Sequence, residues 1–223
     1  MRFPALLINL KVYKEGLDSK IAHIAKEVAN ETGVEIILCP SHILLKEISQ
    51  IIPTFAQSID PVREGAYTGA ITAGFVKHAG ALGTLINHSE KRMPMGNIKT
   101  CIDECRSVGL LSCVCAANES EAEEVVRMRP DIILIEPPQL VGGNVSVSTA
   151  EPELVRNSID TVKHISSEIK VLCGAGVKDQ NDVKRSLELG ADGVAVSSGI
   201  VKAPNVEKAI YDIVDGFSQR HAK

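Results

Sequence analysis

Hydrophobic and polar positions along the chain form two alternating kinds of segment. Short runs rich in Val, Ile and Leu are separated by longer stretches in which apolar residues recur every three or four positions. Uninterrupted apolar runs are typical of parallel strands covered on both faces, and the longer stretches predict amphipathic helices. The pattern therefore predicts a series of βα units.

Eight strand and helix pairs can be counted. The predicted strands are Ala5 to Leu10, Glu35 to Cys39, Thr54 to Gln57, Thr84 to His88, Leu111 to Cys115, Asp131 to Ile135, Lys170 to Cys173 and Gly193 to Ser197. The count favours one α/β domain over residues 1–223, a closed (β/α)8 barrel of the TIM type. The other architecture, an open doubly wound sheet, would be expected to carry a Gly-rich dinucleotide turn after its first strand, where residues 9–13 contain no glycine.

Capping residues predict several helix boundaries. Glycines predict where three helices end, at Gly33, Gly109 and Gly190. Two pairs have the spacing of a capping box at a helix start, Asn118 with Glu121 and Ser148 with Glu151. An apolar stripe predicts the buried face of the first helix, at Leu17, Ile21, Ile24 and Val28.

Composition narrows the classes of partner. The formal net charge is −4 and the basic residues are scattered, so we expect no binding to nucleic acid or to an anionic membrane. No apolar run approaches the roughly 20 residues of a membrane helix, and the run at the N-terminus is too short for a signal peptide. The sequence thus predicts a soluble, cytoplasmic protein. Any anionic ligand would be bound by a few groups at one site and not by an extended basic surface.

The six cysteines are interpreted as reduced structural thiols. Four of them lie inside strand-like runs, at Cys39, Cys113, Cys115 and Cys173. Cys101 and Cys105 share a helix face, but no nearby Cys or His completes the ligand spacing of a zinc site. We therefore expect no metal.

Polar residues follow two of the apolar runs at the end where a barrel carries its chemistry. Asn9 and Lys11 end the first strand and, two residues apart, point to the same face. His88 begins a dense polar cluster after the fourth strand. Taken singly, a solvated lysine and a structural histidine would explain these residues equally well.

Glu136 directly follows four aliphatic residues of the sixth strand. A carboxylate in that position loses part of its hydration, which makes it a stronger base, although a structural ion pair would also explain it. The next residues place two prolines at one end of a loop, Pro137 and Pro138, and two glycines at the other, Gly142 and Gly143. This arrangement favours a lid that moves as a unit.

The loops after strands seven and eight are rich in small residues. Residues 173–177 read Cys-Gly-Ala-Gly-Val, and residues 197–199 read Ser-Ser-Gly. In a barrel these loops are neighbours, and small side chains let backbone N–H groups approach a phosphate. The pair of loops predicts a phosphate site without identifying a reaction.

Together these residues resemble the triosephosphate isomerase family over essentially the whole chain. Four motifs carry the resemblance in order: Asn9-x-Lys11, the interface-like loop Gly65 to Gly69, the cluster Asn87 to Arg92, and Ile135-Glu136-Pro137. The short chain, the absence of Trp and the Cys-Gly-Ala-Gly turn are similar to the archaeal subgroup. Ala70 departs from the Glu that many relatives carry after the interface loop, and this concerns the subunit contacts.

The resemblance implies an isomerase that interconverts dihydroxyacetone phosphate and D-glyceraldehyde 3-phosphate in glycolysis and gluconeogenesis, without metal or organic cofactor. It implies Glu136 as the base and His88 as the electrophile. Lys11 and Asn9 would stabilise the enediolate, and Glu90 would support them. Backbone N–H groups would hold the phosphate near Val141, Gly176, Ser197 and Ser198. The resemblance also implies a homo-oligomer, a tetramer or a dimer.

Two alternatives remain at this point. Another phosphate-binding barrel enzyme, such as a sugar-phosphate epimerase or synthase, would share the phosphate loops but not the combination of Lys11, His88 and Glu136. A non-catalytic barrel that retained the phosphate site would be expected to have lost at least one of those three side chains.

Overall fold

The computed structural model describes residues 1–137, 140 and 146–221. It contains a sheet of eight parallel strands in the order 2-1-8-7-6-5-4-3. The strands are β1 (Ala5–Asn9), β2 (Glu35–Cys39), β3 (Phe55–Ala56), β4 (Gly83–Ile86), β5 (Leu111–Ala116), β6 (Ile132–Ile135), β7 (Lys170–Cys173) and β8 (Gly193–Val196).

The sheet closes between its two outer strands. A parallel bridge joins Leu38 of β2 to Thr54, just before the two-residue strand β3, and Leu38 N–H donates to the carbonyl of Pro53 at 3.0 Å. The predicted fold class, a (β/α)8 TIM barrel, is confirmed.

Helices follow the strands around the outside of the barrel. They are α1 (Lys20–Thr32), α2 (Leu45–Ser49), α3 (Ala73–His78), α4 (Met95–Val108), α5 (Glu119–Val126), α6 (Val147–Ala150), α7 (Pro152–Ile165), α8 (Gln180–Glu188), α9 (Ser198–Val201) and α10 (Val206–Val214). Gly33 and Gly109 end α1 and α4 in the left-handed conformation, as predicted. The predicted cap at the start of α5 is also confirmed, because Asn118 Oδ1 accepts the N–H of Glu121 at 2.9 Å.

Two local predictions are wrong. Ser148 does not cap a helix start: it lies inside α6, and its hydroxyl donates to the carbonyl of Asp182 at 3.3 Å. The next helix instead begins at Pro152, a residue that suits the first helical position. Leu17 is 73% exposed and lies outside α1, because it ends the 3-10 turn over Lys14–Gly16 and the helix begins only at Lys20.

Alternating strand residues form two hydrophobic cores. An inner core fills the barrel and includes Ala5, Leu7, Ile37, Cys39, Phe55, Leu85, Cys113, Cys115, Ile132, Leu134, Leu172 and Ala195. The strand residues between them, such as Leu6 and Ile8, pack outward against the helices. Continuing this alternation to the last residue of β1 and to the residue after β6 places Asn9 and Glu136 at the mouth of the barrel, above Leu7 and Leu134.

All six cysteines are free and buried. In the part of the chain that the structure describes, no group of three or more His, Cys, Asp or Glu residues is arranged to hold a metal ion. None of the described helices is both long and apolar enough to cross a membrane.

Candidate active site

The end of β1 holds an ordered ammonium group at the barrel mouth. Asn9 is buried, and its Oδ1 accepts the backbone N–H of Lys11 at 2.9 Å, which supports the left-handed backbone of Lys11 (φ 47°). The carbonyl of Lys11 accepts from Gln57 Nε2 at 2.8 Å. Lys11 Nζ donates to Glu90 Oε1 at 2.7 Å, and the lysine side chain is only 10% exposed. The positive charge is therefore fixed in place.

His88 presents one defined face to the cavity. Its Nδ1 accepts the backbone N–H of Glu90 at 3.1 Å. A ring nitrogen that accepts a hydrogen bond carries no proton, so the imidazole is neutral with its proton on Nε2. Nε2 lies 3.2 Å from Glu136 Oε2. The protonated nitrogen thus lies next to the predicted base.

Glu136 is buried directly after β6 and has one unused oxygen. Among the described residues, its Oε2 has no hydrogen-bond partner, although His88 Nε2 lies 3.2 Å away. Gly174 lies below the carboxylate, and a Cβ built there would be 3.4 Å from Glu136 Oε1. A buried, unpaired carboxylate oxygen is energetically costly and is available to accept a proton from a bound molecule.

The opposite side of the cavity is built from the two small-residue loops. Ala175 and Gly176 both have left-handed backbones, with φ of 75° and 73°. The loops touch each other, since a Cβ at Gly199 would be 3.5 Å from the carbonyl of Val177. Ser197 precedes α9, and its buried Oγ has no partner within the described ranges. Helix starts leave N–H groups unpaired, so this side is suited to an anion.

One cavity brings together the predicted residues that the structure describes. It is lined by Asn9, Lys11, His88, Glu136, Gly176, Ser197 and Ser198. Glu90 lies beside the cavity, where its backbone and side chain contact His88 and Lys11. Val141 lies outside the described residues, as do Pro138, Gln139, Gly142 and Gly143 of the predicted lid.

Lys178 also lines this cavity and was not predicted. A lysine close after the small-residue turn at residues 174–176 was the available signal. Its Cα lies 3.9 Å from a Cβ built at Gly199, which places the residue beside the loop after β8. Sequence spacing identified Glu121 only as part of a helix cap and did not predict that its carboxylate is buried.

Comparison with known proteins gives a consistent result. The sequence model of the triosephosphate isomerase family matches residues 4–214. The triosephosphate isomerase of Methanocaldococcus jannaschii is 43% identical over 214 residues, which cover 94% of this chain and 98% of that protein. The enzyme of Methanopyrus kandleri is 40% identical over 224 residues, covering 97% and 99%.

A solved structure agrees at the level of the fold. The crystal structure of triosephosphate isomerase from Bartonella henselae superposes with a TM-score of 0.76 at 20% identity, covering 97% of this chain and 99% of that one. The alternative of a different phosphate-binding barrel enzyme is not favoured. Because the family match spans nearly the whole chain and the cited relatives are archaeal, the chain belongs to the archaeal type of the triosephosphate isomerase family.

Proposed function

We propose that this isomerase interconverts dihydroxyacetone phosphate and D-glyceraldehyde 3-phosphate through an enediolate, with Glu136 as base and His88 as electrophile. One observation carries the assignment of roles. A neutral imidazole presents its protonated Nε2 3.2 Å from an unpaired oxygen of a buried carboxylate. A bound three-carbon substrate can contact both groups at once.

The reaction moves one proton between adjacent carbons. Glu136 removes a proton from C1 of the ketone, and the electron pair of that C–H bond forms the C1–C2 double bond of the enediolate. Returning the proton to C2 from the same carboxyl group gives the aldehyde. A single base that reaches both carbons is sufficient, and the free Oε2 of Glu136 meets that requirement.

His88 acts on the oxygens. Its Nε2–H donates to the carbonyl oxygen, so the negative charge that develops there in the transition state is stabilised. A neutral imidazole can give this proton to one oxygen and take a proton from the other. The same ring nitrogen therefore serves both O1 and O2.

Lys11 and Asn9 supply fixed polar groups next to the developing charge. Electrostatic groups are most effective when they are ordered before the reaction, and the ion pair with Glu90 orders Lys11. We assign the substrate phosphate to backbone N–H groups at Gly176, Ser197 and Ser198, together with Val141 of the lid. Closing the lid would exclude water from the enediolate, which otherwise readily expels phosphate.

The test is the coupled rate of D-glyceraldehyde 3-phosphate conversion by the purified chain. Rapid turnover by the parent and a loss of roughly 100- to 10,000-fold in kcat for Glu136→Gln are expected, since the amide cannot accept the proton. Glu153→Gln, at an exposed position on α7, is the matched control and should retain the parent rate. A folded parent without turnover would contradict the reaction, and an active Glu136→Gln variant would contradict the base.

We also propose that the protein works as a homo-oligomer, a tetramer or a dimer, in the cytoplasm. Large apolar side chains are exposed on the loops after the first three strands, at Val12 (89%), Ile43 (91%) and Tyr67 (56%). Loops after neighbouring strands lie at the same edge of a barrel, so these side chains support self-association. Sedimentation velocity tests this, and a monomer at micromolar concentration would contradict it.

A further inference from the structure

A second buried carboxylate lies outside the cavity and has no role in the reaction described above. Within the described part of the chain, Glu121 and Glu136 are the two acidic residues whose side chains are buried. Burying a carboxylate is unfavourable unless hydrogen bonds compensate for its lost hydration. The cap at the start of α5 uses only the backbone N–H of Glu121. Its carboxylate therefore requires a separate explanation.

The carboxylate of Glu121 joins three segments. Its Oε1 accepts from Asn87 Nδ2 at 3.0 Å and from the guanidinium of Arg92. Its Oε2 accepts the backbone N–H of Ala117 at 2.7 Å. One side chain on α5 thus connects the end of β5 with both ends of the loop that carries His88.

The loop after β4 breaks the alternation of the strand at Asn87. Leu85 packs inside the barrel and Ile86 packs outside it, so an extended chain would point Asn87 into the mouth and His88 away from it. The observed order is the reverse, because His88 lines the cavity whereas Asn87 contacts Glu121. Asn87 has a left-handed backbone (φ 63°), and this conformation produces the reversal.

Hydrogen bonds hold Asn87 in that conformation. Its Nδ2 donates to the carbonyl of Cys115 and to Glu121, both at 3.0 Å, and its Oδ1 accepts the N–H of Met93 at 3.1 Å. A carboxylate can only accept, so Glu121 determines which end of the Asn87 amide faces it. The left-handed region is unfavourable for residues other than glycine, and such a backbone persists where its surroundings fix it.

The far end of the same loop is held by the same carboxylate. Lys91 N–H donates to the carbonyl of His88 at 2.7 Å, which closes a turn, and Arg92 then binds Glu121. His88 consequently lies between two residues that share one acceptor oxygen.

We propose that Glu121 is a positioning residue, which directs His88 into the barrel mouth by fixing Asn87 and Arg92. The proposal rests on the proposed role of His88 as electrophile. We assign the phosphate contacts to the loops after β6, β7 and β8, none of whose described residues Glu121 binds, so loss of the Glu121 charge affects the chemical step and leaves phosphate binding intact.

The test is Glu121→Gln in the full-length chain. We expect kcat to fall by about 10- to 100-fold, the scale on which small displacements of a catalytic group act. KM and the inhibition constant of inorganic phosphate should stay within about two-fold of the parent values. Glu124→Gln, at an exposed position on the same helix, is the control and should behave like the parent.

A second variant keeps the proposal testable if Glu121→Gln does not fold. Asn87→Gly preserves the left-handed backbone without strain but removes the amide that binds Glu121. It should lower kcat in the same way, and adding Glu121→Gln to it should have little further effect. Fully additive losses in the double variant would overturn the proposal.

A measurement that does not depend on enzymatic turnover can test the positioning role of Glu121 independently of the proposed reaction. In the parent, 15N NMR of the imidazoles should show His88 neutral and protonated on Nε2, and Glu121→Gln should shift or broaden that signal under conditions in which the variant is folded. Glu121→Gln with parent kcat and an unchanged His88 signal would overturn the proposal. A loss in phosphate affinity as large as the loss in kcat would do so as well, because it indicates a general structural role. An inactive parent with the expected NMR change would contradict only the reaction.

Discussion

Replacing Gly174 with alanine tests how closely the floor of the cavity must fit around Glu136. Gly174 follows β7, and its N–H donates to the carbonyl of Ile135 at 2.9 Å. Its backbone does not lie in the left-handed region, so alanine introduces no backbone strain. The substitution therefore adds one methyl group and changes little else.

The structure sets the size of the expected effect. The new Cβ would lie 3.0 Å from Leu134 Cδ1 and 3.4 Å from Glu136 Oε1. Carbon atoms in contact are ordinarily about 3.5–4.0 Å apart, so Leu134 must move by about 0.5–1 Å and the carboxylate by a few tenths of an ångström. A 1 Å error in a catalytic group can cost about 100-fold, so we expect kcat to fall by about 3- to 10-fold. Overpacking should lower the free energy of unfolding by about 1–2 kcal/mol.

Steady-state kinetics with the coupled assay, together with urea unfolding, measure both effects. Gly96→Ala is the matched control, because a Cβ at Gly96 in α4 meets no atom within 4 Å and should leave kcat unchanged. If Gly174→Ala folds stably and its kcat stays within about two-fold of the parent value, the close fit around the carboxylate is not needed, and the reasoning is refuted.

Two further predictions concern a partly buried carboxylate and the buried cysteines, all of which lie away from the cavity. Burial would raise the pKa of Asp192, but hydrogen bonds from Lys163 and from the N–H of Val171 outweigh burial and lower the pKa. The resulting stability is present above about pH 4 and is lost as pH falls through the lowered pKa. Asp192→Asn should therefore reduce the free energy of unfolding by about 1–3 kcal/mol at pH 7. Urea titrations of the parent and the variant should show a smaller difference at pH 3. An equal difference at both pH values would contradict a stabilising role of the Asp192 charge. Burial raises the pKa values of the cysteine thiols, to about 12 for Cys173. A chromogenic thiol reagent at pH 8 should therefore label none of the six cysteines in the folded protein and all six in urea. Rapid labelling of the folded protein would contradict this prediction.

Much of the barrel could be predicted because its strands are continuous apolar runs. The predicted bounds of β2 and β7, Glu35–Cys39 and Lys170–Cys173, agree with the structure, and Asn9 and Glu136 follow from strand alternation alone. The error at Leu17 has a local cause, since apolar spacing cannot show that Leu17 ends a 3-10 turn and that α1 begins only at Lys20.

His88 shows where alternation ceases to be sufficient. Its chemistry identified it, but the strand pattern would place it on the helix side of β4, and only the left-handed backbone of Asn87 brings it to the mouth. That backbone depends on Glu121, which lies 34 positions further along the chain. Such a contact arises from tertiary packing and leaves no signal in local sequence spacing.

The two-core arrangement also limits how the length of this chain can change. In each strand every second side chain faces the barrel interior, and the same alternation determines which residue points into the mouth at the end of the strand. A single residue inserted into β6 would turn Glu136 toward the helices and place Ile135 at the mouth. Many substitutions within β6 would preserve the position of the carboxylate, whereas any odd insertion or deletion would remove it. We therefore expect this chain to tolerate changes in length in the loops at the opposite end of the barrel better than within β6.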